Sequence, residues 1–90
     1  MVQKGILYIL QSEVNSRYYI GSTNNLDRRL SEHNNGFSGY TKFTIPFKLV
    51  FKQEYQTIEK ARQIEFKLKK LKSRRIITKI IEDKTIRLDS

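Results

Sequence analysis

Residues 18–33 read YYIGSTNNLDRRLSEH, and the change of pattern inside that stretch decides the fold. Tyr18, Tyr19 and Ile20 are aromatic and β-branched and suit a strand; Gly21 ends it where a residue without Cβ permits a bend or the close approach of another group. Asn24 or Asn25 can cap the helix that follows, Asp27 in its first turn complements the dipole, and Leu26 and Leu30 face the core one turn apart. The helix is predicted to end near Asn35 and Gly36. At about 100° per residue, Arg28 and Glu32 lie away from those leucines and suit a surface ion pair, while Arg29 and His33 flank the leucine stripe. Arg29 is therefore the arginine placed where core and cleft would meet.

Outward from this stretch, Gly5 to Gln11 (GILYILQ) is an apolar run too short for an independent helix and reads as a largely buried strand, with Tyr8 in its middle. The polar Ser12 to Ser16 joins it to the second run as an antiparallel hairpin. Downstream, Phe37 to Pro46 suits an ordered surface loop in which Tyr40, Thr41 and Lys42 could touch a ligand. In Phe47 to Tyr55, alternation sends Phe47, Leu49, Phe51 and Tyr55 one way and Lys48, Lys52 and Glu54 the other, with Val50 breaking the polar face. Thr57 caps a helix of about four turns along which Ile58, Ala61, Ile64, Leu68 and Leu71 recur, with Glu65 at the rim of the stripe. Ser73 caps a last helix whose Ile76, Ile77, Ile80 and Ile81 are buried pairs, and the polar tail after Glu82 is expected to fray. The fold class expected is α+β: a small three-stranded antiparallel sheet flanked by helices, with one domain over residues 1–82 and a polar C-terminal tail over 83–90.

Composition bounds what such a domain can do. Ninety residues bury only about 60–65% of the unfolded surface, which leaves room for one site and a thin margin of stability. Without cysteine, neither a disulfide framework nor a thiolate zinc site is available, which fits a reducing, cytoplasmic setting. No apolar run is long enough to span a bilayer, and no signal-type segment follows Met1, so no membrane association is expected. The 18 Lys and Arg against 9 Asp and Glu, a net charge of +9, point to a polyanionic partner, with nucleic acid ahead of a membrane surface or an acidic protein. Lys60, Lys67, Lys69, Lys70 and Lys72 give the helix capped by Thr57 a basic flank that can track a phosphate backbone.

Taken in order, Ile6-Leu7-Tyr8, Tyr19-Ile20-Gly21, Arg29, His33 and Glu65 resemble the pattern of a GIY-YIG nuclease domain of the small stand-alone type, over about Ile6 to Ile81. The chain is similar in this respect to the nuclease domains of excision-repair incision subunits and intron-homing endonucleases. It departs from the pattern in having Ile6 where the first motif usually has glycine, and in lacking the asparagine that some relatives carry after the glutamate helix. The resemblance implies a metal-dependent endonuclease that hydrolyses DNA phosphodiester bonds, one strand per active site, with no small-molecule cofactor. It further implies Tyr8 as general base, Tyr19 positioning water or metal, and His33 assisting proton transfer, either taking the proton itself or tethering Tyr8. Arg29 has the fork geometry for phosphate oxygens and would stabilise the pentacovalent state, while Glu65 would hold Mg²⁺ or Mn²⁺. Lys69 or Lys72 could serve the phosphate, and DNA contacts are expected from Arg29, Lys42, Lys69 and Lys72, giving steep salt dependence and little base readout. Repair, invasion and restriction are the roles the resemblance brings to mind.

Each residue also has a plainer reading. Tyr8 and Tyr19 could be cross-strand packing residues, Gly21 a turn glycine, Arg29 a surface cation, His33 a helix-end residue favoured by the dipole, and Glu65 a partner for Lys69. Those readings do not explain why all occur in family order. Two alternatives remain: a non-catalytic nucleic-acid-binding module that keeps the fold, and a structural protein bound to RNA.

Overall fold

Strand β1, Gly5–Ser12, forms the middle of the molecule in a computed structural model that describes residues 3–35 and 45–86. It pairs antiparallel with β2, Tyr18–Thr23, on one side and with β3, Phe47–Tyr55, on the other, giving the sheet order β2-β1-β3. Together with helices α1 (Leu26–Asn34), α2 (Ile58–Leu71) and α3 (Arg74–Asp83), this is the α+β architecture expected. At the hairpin, the Ser12 hydroxyl accepts the backbone N–H groups of Val14 and Asn15, and Ser16 turns through the left-handed region. Strand β2 carries on past Gly21 to Thr23, so that glycine lies inside the strand instead of ending it.

Alternation along β1 divides the core into two layers. Leu7 and Ile9 point to one face, where Phe51 joins Ile64 and Leu68 of α2 and Ile77 and Ile80 of α3. Tyr8 and Leu10 point to the other, with Phe47, Leu26 and Leu30 under α1. Burial of each large aliphatic side chain in these layers stabilises the fold by roughly 1.5–3 kcal/mol. Asn25 caps α1 by accepting from the Arg28 N–H, and Thr57 and Ser73 cap α2 and α3 in the same way. Gly5 lets the start of α2 lie directly on β1: a Cβ there would stand 2.6 Å from the Ile58 Cα.

Four expectations change. Residue Ile9 pairs with Phe51 but Leu10 pairs with Leu49, so Val50 is the extra residue of a β-bulge. The bulge reverses the alternation of β3: Phe51 stays in the α2–α3 layer, whereas Phe47 and Leu49 pack on the α1 side, and Val50 packs against the Phe51 cluster instead of interrupting a polar face. Leu71 is 46% exposed and contributes little to the stripe, because the helix ends on it and Lys72 leaves through a left-handed cap. Beyond α3 the chain is not all frayed, since Ile86 packs on the core and its N–H donates to Gln53 Oε1 at 3.2 Å. The loop residues Tyr40, Thr41 and Lys42 lie outside the described residues.

Candidate active site

Strand β2 is an edge strand among the described residues, and its open side forms the floor of a cleft of about 340 Å³. Tyr8 stands on the central strand, so its phenol has to reach across β2 to enter this cleft. Register makes that possible: Tyr8 pairs with Gly21, and the Tyr8 ring and hydroxyl occupy the space that a Gly21 Cβ would need. Gly21 is thus a close-approach glycine of ordinary backbone conformation.

The α1 face supplies Tyr8, Tyr19, Arg29 and His33. The Tyr8 hydroxyl lies 3.2 Å from His33 Nε2, and Arg29 Nε donates to it at 3.4 Å. His33 is buried on the edges of Phe47 and Tyr8, with ring centroids 5.7 and 6.0 Å away, and Tyr19 packs edge-on to Phe47 at 5.0 Å. Nδ1 of His33 has no hydrogen-bond partner among the described residues. A buried lone pair left unpaired costs less than a buried N–H, so the proton belongs on Nε2, which then donates to the Tyr8 oxygen alongside Arg29. Burial, with the charge of Arg29, holds the His33 imidazole below the usual histidine range and keeps it neutral. Burial also pushes the Tyr8 phenol above its usual range, against the hydrogen bond and charge of Arg29, so Arg29 alone does not make it a phenolate.

Arg29 is anchored from behind. Its Nη1 donates to Glu32 Oε1 at 3.0 Å, while the expected Arg28–Glu32 pair is a looser contact at 3.9 Å. Glu32 therefore serves mainly to aim Arg29, and the bonds to Tyr8 and Glu32 raise the proton affinity of an arginine that is charged in any case.

From the opposite face of the sheet comes Glu65, on α2. Its Oε1 accepts from the Ser22 hydroxyl at 2.5 Å and its Oε2 from Lys69 Nζ at 2.6 Å. The cleft thus straddles the edge of β2, with Tyr8, Arg29 and His33 on one side and Glu65, Ser22 and Lys69 on the other. Lys72 lies outside it, in a neighbouring hollow with Arg17 and Arg74, and Lys42 lies outside the described residues. Two contributors were missed in the sequence. Ser22 follows Gly21 in a strand, and alternation would have pointed it toward α2; Glu32 was assigned to Arg28 by spacing alone.

The donor set can be tested against a divalent metal. No group of three or more acidic, histidine or cysteine side chains that could hold a metal ion occurs among the described residues, so these offer no all-protein cage. A single carboxylate beside a hydroxyl at an open cleft fits Mg²⁺ or Mn²⁺ that keeps most of its waters. The ammonium of Lys69 already meets that carboxylate, at 2.6 Å.

The family model for the GIY-YIG catalytic domain matches residues 4–80. The chain belongs to this family. Its GIY-YIG domain is 38% identical over 73 residues to a UPF0213 protein of Streptococcus pneumoniae, covering 80% of this chain and 73% of that one. It is 37% identical over 82 residues to a UPF0213 protein of Clostridium perfringens, covering 90% and 86%. Among solved structures, the UPF0213 protein of Bacillus halodurans matches with a TM-score of 0.59 at 30% identity, covering 93% of this chain and 88% of that one. Membership in the GIY-YIG family puts the domain among nucleases at the general level. No described helix is long and apolar enough to cross a membrane.

Proposed function

We propose that this GIY-YIG domain is a divalent-metal-dependent endonuclease that hydrolyses DNA phosphodiester bonds, one strand per site. The observation that carries the reading is the meeting of Tyr8, Arg29 and His33 with Glu65 around one strand edge, from opposite faces of the sheet. Packing needs no such meeting.

In this reading the scissile phosphate lies in the cleft with its oxygens on the Arg29 guanidinium, which Glu32 holds in place and which supplies positive charge where charge develops in the pentacovalent state. Once its own proton has gone to solvent, the Tyr8 phenolate, held by the Arg29 Nε–H and His33 Nε2–H aimed at its oxygen, takes a proton from the attacking water as that water's oxygen bonds to phosphorus; the bond from phosphorus to the 3′ oxygen breaks, and the leaving oxygen takes a proton from solvent. His33 acts as the tether of Tyr8 in preference to being the base, because its Nε2 proton is already directed at the phenol. Tyr19, on the same side of the cleft, orders water. Glu65 would hold the cation, and a bound divalent ion would add positive charge at the phosphate and lower the pKa of the cleft's water and phenol. Lys69, which lines the same cleft, offers a further cation to the substrate phosphate.

Incubation of supercoiled plasmid with the protein and Mg²⁺ or Mn²⁺ tests the proposal. Nicking by the wild type should fall by roughly 10²–10⁴ in Tyr8→Phe, the range of a lost general base, and by a comparable factor in Glu65→Ala, with DNA binding retained in both. Equal nicking by wild type and variants, with binding intact, would leave a non-catalytic binding module as the surviving reading.

A further inference from the structure

The cleft is the central one of three hollows in a row. At one end it shares Tyr18 and Ile20 with a hollow walled by Arg17, Lys72 and Arg74; at the other it shares Ser22 and Arg29 with one walled by Arg28 and Arg62. Of the shared residues, Tyr18, Ile20 and Ser22 run in order along β2, so the three hollows follow its open edge over roughly 17 Å, the length of the strand at about 3.3 Å per residue. The flanks are strongly basic. Glu32 is the one acidic side chain lining either end hollow, and it is occupied by Arg29. Arg17, Arg62, Lys72 and Arg74 have no ion-pair partner among the described residues, and Arg74 is held in place by stacking on the Tyr18 ring at 4.5 Å. Unpaired cations thus stand at both mouths of one cleft, in a chain whose net charge is +9.

We propose that these hollows form a backbone trough in which one DNA strand lies along the edge of β2, with phosphates seated at both ends as well as in the centre. The identification of the central phosphate as the scissile one rests on the nuclease reading; the trough itself is a binding surface and is testable without cleavage. It accords with the little base readout expected, since its flanking cations would meet phosphate. It also sets a footprint: affinity for single-stranded oligonucleotides should rise with length until three phosphates are spanned by the trough and rise only weakly thereafter.

Binding of a fluorescent single-stranded oligonucleotide, measured by anisotropy across a salt series without divalent metal, tests this with three charge-matched double variants. Arg17→Gln with Arg74→Gln removes cations from one end, and Arg28→Gln with Arg62→Gln from the other. Lys48→Gln with Lys52→Gln removes the same charge from exposed positions on β3, at the opposite edge of the sheet. Each end pair should flatten the slope of log affinity against log salt by about 0.7, one phosphate contact on a single strand, and the β3 pair should leave it unchanged. An end pair with the wild-type slope, or a β3 pair as damaging as the end pairs, overturns the trough. A wild type that binds as described but cuts no DNA when metal is added sinks the nuclease reading alone; one that cuts while the end pairs match the β3 pair sinks the trough alone.

Discussion

Tyr8 and Gly21 claim the same space, and that competition is where chain chemistry becomes site geometry. A methyl group at position 21 would meet the phenol ring and hydroxyl, so Gly21→Ala should destabilise the domain by about 1–3 kcal/mol in denaturant unfolding. In a Tyr8→Ala background the penalty should shrink, and a penalty of the same size in both backgrounds would show that the phenol is not its cause. His33 gives a second prediction. Its native pKa lies below the ordinary value of about 6.5, so as pH falls through that value the unfolded chain takes up a proton that the native state refuses. The stability it contributes is full above the unfolded pKa and is lost as pH falls toward the native one. Urea midpoints should therefore decline between neutral and mildly acidic pH in the wild type, and decline less in His33→Gln.

Among the elements, α1 depends on fastening more than on packing, because it is nine residues long and His33 is its one fully buried side chain. Asn34, at its last turn, accepts the Phe47 N–H at 2.7 Å and donates to the Phe47 carbonyl at 3.4 Å, tying the helix to the start of β3. That start reaches α1 only because the Val50 bulge turns Phe47 toward it. Asn34→Ala should cost about 1–2 kcal/mol in thermal or chemical unfolding and loosen the Arg29–His33 side of the cleft, lowering nicking more than DNA binding. Equal loss of both would point to a global effect instead.

At the scale of the whole molecule the sheet joins the two halves of the cleft, with α2 packed on β1 and β2 and the α1 side packed on Tyr8 and Leu10 of the other face. Leu68, fully buried beneath α2, lies in the layer that positions Glu65. Leu68→Ala should cost about 2–5 kcal/mol, a large part of the stability usual for a small domain. If the site depends on the intact sheet, activity and far-ultraviolet dichroism should be lost together across the denaturant titration of this variant. Loss of activity well before the dichroism would mean that α2 detaches by itself.

The element order, the caps Thr57 and Ser73, and the residues that share the cleft were legible in the chain because each rests on a local signal: periodicity, a capping side chain, or motif order. The reversal within β3 was not, since a bulge depends on which residues β1 presents opposite it and leaves no mark in the alternation of one strand. The partner of Ser22 was obscured for the same reason, since α2 supplies it, while spacing allowed Glu32 either Arg28 or Arg29 and the bond from Arg29 to Tyr8 favours the second. By itself the sequence determined a basic α+β domain with tyrosine, arginine, histidine and glutamate in family order. Only the tertiary structure decided that these groups meet around the open edge of β2, because that meeting requires the Tyr8–Gly21 register and helices on opposite faces of one sheet.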